Sequence, residues 1–213
     1  YSKGYIDALV DAQSHIDGYF FLEESLSPAL LDAMQKVCPI TPNQDGAETL
    51  AYVYSHYFLG RRATALARID LLNKISQNFD VTVYTHADCK DILPTAIYGG
   101  KIDYYDTMPT VFQHSKINLN ITLKTIQTGI PLRAWDILGC GGFLLTNFQQ
   151  ELCDFFIPGE DFVYYESPAD AIEKAAYFLS HDRERQEIAH NAFEKIAASH
   201  TFHHRVQSMF DII

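Results

Sequence analysis

The sequence predicts an α/β fold: a doubly wound parallel sheet preceded by a helical segment. Three observations lead there. Apolar residues recur at helical spacing through residues 1–77. From Asp80 onward, short β-branched and aromatic runs alternate with capped helical runs, the pattern of βαβ units. The polar residues of this second part gather where the strand-like runs end.

Taken in order, "YIDALVDAQSHI" is the first predicted helix. "SPALLDAMQKV" is the second, with Ser27 as cap and Pro28 at the first helical position. "CPITPNQDG" reads as a loop. "AETLAYVYSHYFLGRRATALARIDLLNKISQNF" reads as a long helix with a break near Gly60. Its Arg61, Arg62 and Arg68 form a basic stripe that reads first as a solvated face.

The texture then changes. "DVTVYTH" is a predicted strand, "AIYGGKIDYY" a strand interrupted by two glycines, and "TMPTVFQHS" a short helix. "KINLNIT" is a strand with Ile117, Leu119 and Ile121 on one face and Asn118 and Asn120 on the other. "GIPLRAWDILGCGGFLLTN" gives a helix from Pro131, a turn at Gly141 and Gly142, and a strand. "QQELCDFF" is a helix and "DFVYY" a strand. "SPADAIEKAAYFLSH" is a helix capped by Ser167, and two further helices close the chain. The domain expectation is therefore a helical segment over 1–77 and one sheet-containing domain over 78–213, its five short strands in one doubly wound sheet.

Composition narrows the function classes. With 16 basic and 27 acidic residues, the formal net charge is −11. That argues against broad binding to nucleic acid or anionic membranes, which calls for a basic face. The four cysteines are far apart and form no CxxC pair, so they read as reduced thiols of a cytoplasmic protein. No apolar run approaches the ~20 residues of a membrane span, and no signal peptide is visible.

In an open α/β sheet, ligands bind beyond the carboxyl ends of the strands. His86 ends the first strand; Asn118, Asn120 and Thr122 run along another; Thr146 and Asn147 end a third. Asparagines inside a strand are costly unless hydrogen-bonded. They either bond neighbouring backbone or reach a ligand, and the sequence leaves both readings open. The segment from Gly129 adds more. A helix start offers free N–H groups and the positive end of a dipole. Arg133 supplies a fork-shaped cation for phosphate oxygens, and Asp136 lies on the same face as a ribose acceptor. Gly141 and Gly142 would bring backbone close to a ligand. The plainer alternative is a surface Arg133–Asp136 ion pair beside an ordinary glycine helix stop.

The stretches "GGKIDYYDTMPTVFQHSKINLNIT", "RAWDILGCGGFLLTN" and "HTFHHR" together resemble the C-terminal domain of GT-B glycosyltransferases, in the branch described as CgeB-like or glycosyl transferase group 1-like. "YFLGRRATALARIDLL" resembles the helix that precedes this domain in longer members. The resemblance implies a Rossmann-like domain that holds a nucleotide-diphosphate sugar, a UDP-sugar being the expected donor, with no cofactor and no bound metal. It implies Asp136 on the donor ribose and Arg133 with the helix start at the diphosphate. Backbone from Gly100 to Tyr105 would lie by the base, and Asn118 and Asn120 beside the phosphates or the sugar. Relatives that retain configuration carry Glu-x7-Glu; here the two positions hold Thr128 and Asp136, so the stereochemical outcome is not carried over. The acceptor, a glycan, lipid or protein, would face an N-terminal domain that this chain lacks, making the chain the C-terminal part of a longer protein.

The expected activity is thus metal-independent glycosyl transfer. The catalytic base is unassigned, with His86 a candidate on position alone. His200, His203, His204 and Arg205 are expected to cap or pin the terminal helix, with contact to ligand or the absent domain as the alternative. Two rival readings are a non-catalytic nucleotide-sugar-binding or interaction module and a GT-B-fold nucleotide-sugar epimerase.

Overall fold

The computed structural model describes residues 2–16, 22–41 and 48–211. Residues 42–46 of the loop expected after Cys38, residue 47 at the start of the expected long helix, and the last two residues of the expected terminal helix lie outside them. The protein is a mixed α/β chain with short parallel sheets and divides into two compact units. One comprises 1–71 with 122–127; the other comprises 72–121 with 128–213.

The first unit is helical. Helix α1 (Ser2–Ser14) is followed by α2 (Pro28–Val37), whose Ser27 cap accepts from the Leu30 N–H. Helix α3 (Leu50–Val53) runs into a π-helical segment (Tyr54–Gly60) and then α4 (Arg61–Ser76), whose residues from 72 on belong to the second unit. The expected break near Gly60 is therefore a change of winding rather than an end. Val10, Leu22, Leu26, Tyr54, Leu59 and Ala63 form this unit's core. The Tyr54 hydroxyl donates to Gln35 Oε1 or the Cys38 carbonyl, each at 2.6 Å, which lets a phenol sit almost fully buried. Arg61 lies over the Tyr57 ring at 5.5 Å.

The second unit carries the strands. β1 (Thr82–Tyr84) pairs in parallel with β2 (Ile97–Gly100). After α5 (Met108–His114) comes β3 (Asn118–Asn120), then α6 (Leu132–Gly139) and β4 (Leu144–Asn147). A 3₁₀ segment (Gln150–Asp154) precedes β5 (Val163–Tyr165). Helices α7 (Pro168–Ser180), α8 (Asp182–Ser199) and α9 (Phe202–Phe210) complete the unit. β3, β4 and β5 form a parallel sheet in sequence order, Asn118 opposite Leu144 and Leu145 opposite Val163.

Three expectations are corrected here. The five strands do not share one ladder: they divide into a two-stranded and a three-stranded sheet. With three or four residues each, they make few ladder bonds, and Gly100 ends β2 in a left-handed conformation at φ +74°. "QQELCDFF" winds as a short 3₁₀ segment rather than an α-helix. Pro131 is the residue before α6, at ψ 137°, and not its first helical residue.

The core of the second unit lies between α6, α8 and the β4–β5 side of the sheet. Ala134, Ile137 and Leu138 of α6 pack with Leu144, Leu152, Phe156, Phe162, Ala192 and Ile196. Fully burying one such aliphatic or aromatic side chain contributes about 1.5–3 kcal/mol. Helix α6 is thus fixed by its apolar face, and this orients its polar residues. None of the described helices is long and apolar enough to cross a membrane.

Candidate functional site

Because β3, β4 and β5 are parallel, their carboxyl ends lie on one side of their sheet. Asn120 and Thr146 lie toward those ends, whereas Asn118 opens β3; the three are buried, at 1%, 0% and 7% exposure. The asparagine face of β3 is thus its more buried face, while Leu119 is only half-buried. Hydrogen bonds make this tolerable. The Asn118 amide donates to the carbonyls of Phe112 at 2.9 Å and Phe143 at 3.3 Å. The Asn120 amide donates to Thr146 Oγ1 at 3.0 Å, and that hydroxyl donates to the Asn147 carbonyl at 3.1 Å. Tyr165 Oη donates to the Asn120 carbonyl at 3.2 Å. The sequence left open whether these asparagines bond backbone or a ligand; the Asn118 amide group is engaged by backbone.

Helix α6 begins without a side-chain cap, since Pro131 has no acceptor to offer. The Pro131 carbonyl accepts from the Ala134 N–H at 2.9 Å. The N–H groups ahead of Ala134 stand at the positive end of the helix with no capping side chain. Arg133 is exposed in this first turn, and among the described residues it has no ion-pair or hydrogen-bond partner. The plainer alternative of an Arg133–Asp136 pair does not occur.

Asp136 is half-buried, and its Oδ2 accepts from Tyr104 Oη at 2.6 Å. Tyr104 belongs to the loop between β2 and α5. Asp103 shapes that loop: its Oδ1 accepts the N–H groups of Tyr105 and Asp106, each at 2.8 Å. Those two bonds hold the Asp103 carboxyl below its ordinary range. The hydrogen bond to the Asp136 carboxylate, with burial second, pushes the Tyr104 phenol up to about 12. Cys140, one turn on from Asp136, has its thiol raised by burial first and by the Asp136 charge second.

The glycines after α6 act as its stop. Gly141 is left-handed at φ +72°, its N–H bonds the Leu138 carbonyl at 3.0 Å, and the Gly142 N–H bonds the Ile137 carbonyl at 2.9 Å. This is a Schellman motif. Gly142 is also required by contact: a Cβ there would lie 2.7 Å from both Asn118 Nδ2 and the Phe112 carbonyl oxygen. The close approach is to the protein's own Asn118.

The remaining candidates divide. Gly100 ends β2, its carbonyl accepting from the Thr85 N–H at 2.9 Å. Tyr105 is 84% exposed, its ring edge-on to Tyr104 at 5.1 Å. Asn147 closes β4, and its amide donates to the Phe148 carbonyl at 3.3 Å. His86 is exposed in the bend after β1, and among the described residues it bonds none of the other candidates. Thr122 is buried and belongs to the first unit.

Two features were not foreseen. Tyr104, expected only as part of the Gly100–Tyr105 backbone, bonds Asp136 with its side chain; the signal is an aspartate before two tyrosines in a loop, a turn-forming pattern. Trp135, next to Asp136 on α6, packs against Phe155 at 5.5 Å, Phe156 at 5.4 Å and His200 at 5.4 Å. Arg205 covers the Trp135 ring at 5.6 Å and donates to His200 Nδ1 at 2.9 Å. Thr201 and His204 form a capping box at the start of α9. His200, His204 and Arg205 therefore pin and cap the terminal helix, as the first of the two readings had it.

A search of curated proteins finds no match. A family model described as glycosyl transferase-like matches residues 61–211. The match takes in α4, both sheets, α6 and the helices through α9. The chain belongs to this glycosyl transferase-like family.

Proposed function

We propose that the second unit binds a nucleotide-diphosphate sugar and takes part in glycosyl transfer that needs no metal ion. One observation carries the reading. In a chain of this family, α6 presents a first turn without a side-chain cap and an exposed Arg133 with no partner among the described residues, while Asp136 bonds Tyr104. A cation and free N–H groups suit a diphosphate, and a carboxylate suits a ribose diol.

In this reading Arg133 and the start of α6 take up the negative charge that develops on the leaving diphosphate as the glycosidic bond breaks. Asp136 accepts from the ribose hydroxyls. The loop from Gly100 to Tyr105 borders the base, and Asn147 stands at the sugar end of the strand tips. Asn118, Asn120, Gly141 and Gly142 build the frame beneath. The domain corresponds to the Rossmann-like, doubly wound C-terminal half of a GT-B enzyme, and a UDP-sugar is the donor we favour. The acceptor, a glycan, lipid or protein, would be presented by an N-terminal domain.

Calorimetry with UDP and GDP tests the site. Arg133→Ala should weaken diphosphate binding about tenfold or more, the equivalent of one charge-assisted hydrogen bond, with no loss of thermal stability. Equal affinity of wild type and variant would remove Arg133 from the site. Release of nucleoside diphosphate from a nucleotide sugar supports a transferase, isomerised sugar without release points to an epimerase, and binding without turnover points to a binding module.

A further inference from the structure

Among the described residues, Tyr104 makes the one hydrogen bond to the Asp136 carboxylate, and it reaches it from a separate loop, 32 residues away in sequence. From this geometry we infer that Tyr104 is a positioning residue: it fixes the Asp136 carboxylate so that the remaining oxygen faces a ribose diol, and so sets the preference for ribonucleotides over deoxyribonucleotides. The inference rests on the reading of α6 as a nucleotide site.

The argument is geometric. A carboxylate has two oxygens and about four lone-pair directions, and free rotation about the side chain spreads them over many orientations. At 2.6 Å the Tyr104 hydroxyl occupies one direction on Oδ2 and removes that freedom. The apolar face of α6 is locked by Ala134, Ile137 and Leu138, so the helix itself does not turn. The other end of the contact is equally fixed. Asp103 accepts from Tyr105 and Asp106, and its carbonyl accepts from the Met108 N–H at 2.9 Å, which holds the loop against the start of α5. Two independently anchored elements therefore meet at one short bond. The phenol remains a donor throughout the neutral range, because the carboxylate opposes its ionisation. Oδ1 is left to accept from a ligand hydroxyl, and a preset carboxylate spends less entropy on that bond.

The experiment compares Tyr104→Phe, Asp136→Asn and the wild-type chain by calorimetry with UDP and 2′-deoxy-UDP. The phenylalanine ring keeps the packing and removes only the hydroxyl, and a melting curve checks the fold. The expected result is a fall of roughly three- to tenfold in the UDP over 2′-deoxy-UDP preference for Tyr104→Phe, with affinity for 2′-deoxy-UDP little changed. A purely structural role would weaken both ligands alike and leave the ratio fixed. If Asp136→Asn abolishes the preference while Tyr104→Phe keeps it, the inference is overturned and the site reading stands. Tighter UDP binding by Tyr104→Phe would also overturn it, since the hydroxyl would then compete with ribose. If Asp136→Asn keeps the preference, or the wild type binds neither nucleotide, both the inference and the ribose assignment fail.

Discussion

Replacing Gly142 by alanine puts the packing around β3 to a quantitative test. The added Cβ would sit 2.7 Å from Asn118 Nδ2, 2.7 Å from the Phe112 carbonyl oxygen and 3.1 Å from the Ile137 carbonyl oxygen. Two of these three atoms are backbone, so a flexible side chain cannot simply swing away. Overpacking of this kind costs about 1–3 kcal/mol. If the Asn118 amide is displaced, its bonds to Phe112 and Phe143 are lost in a position only 7% exposed, adding about 1–3 kcal/mol for unsatisfied buried polar groups. The sum is about 2–6 kcal/mol, a large share of the ~5–15 kcal/mol that stabilises a typical protein. Gly141→Ala is the control. Its left-handed φ of +72° costs an alanine about 1–2 kcal/mol, while the nearest atom is a Phe193 ring carbon 4.0 Å away. Urea unfolding should show a lower midpoint at unchanged slope, with Gly142→Ala the more damaging. Combining Gly142→Ala with Asn118→Ala should cost less than the sum of the singles, because the second change makes room for the first. A Gly142→Ala variant within about 0.5 kcal/mol of wild type, or strict additivity in the cycle, would refute the contact argument.

Two further predictions concern protons. Burial, then Arg205 and His204, lower the His200 pKa from its ordinary 6.5, so the folded state prefers the neutral ring. Below 6.5 the unfolded chain then binds more protons, and stability should fall as pH drops through that value and level off above it. His200→Phe should flatten this part of the melting-temperature profile between about pH 5 and 7; an unchanged slope would acquit the residue. Tyr104 behaves in the opposite sense. Its raised pKa makes its contribution complete below 10.0 and lost as pH climbs through about 12. Asp136→Asn removes the main cause, so ultraviolet titration should show one phenol moving back toward 10.0; an identical titration curve would argue that the bond is absent in solution.

Much of the fold was legible because it is encoded locally. Ser27 with Pro28 and Ser167 with Pro168 mark helix starts by short-range bonding, and both helices begin as those signals state. The strands at Asn118, Leu144 and Val163 follow from side-chain alternation and apolar runs. Pro131 stands one position ahead of its expected place because a proline suits both the residue before a helix and its first residue; ψ decides, and ψ is not written in the residue type. The division into two sheets was not legible, since ladder pairing depends on how strands only a few residues long are laid side by side. At the site, Arg133 and Asp136 could be chosen from residue type and helical spacing. Their separation could not, because the partner of Asp136 comes from another loop. The asparagines show the same limit from the other side: their polarity drew attention, but only the fold reveals the carbonyls that the Asn118 amide meets.

The sequence contains a single tryptophan, and it stands on α6 between Arg133 and Asp136. Indole emission from this chain therefore originates entirely from the helix on which the nucleotide reading depends. The guanidinium of Arg205 and the imidazole of His200, both resting on that ring, are natural modulators of its brightness. Any event that shifts α6 or lifts the final helix from it would write itself into the fluorescence spectrum, with no dye or label attached.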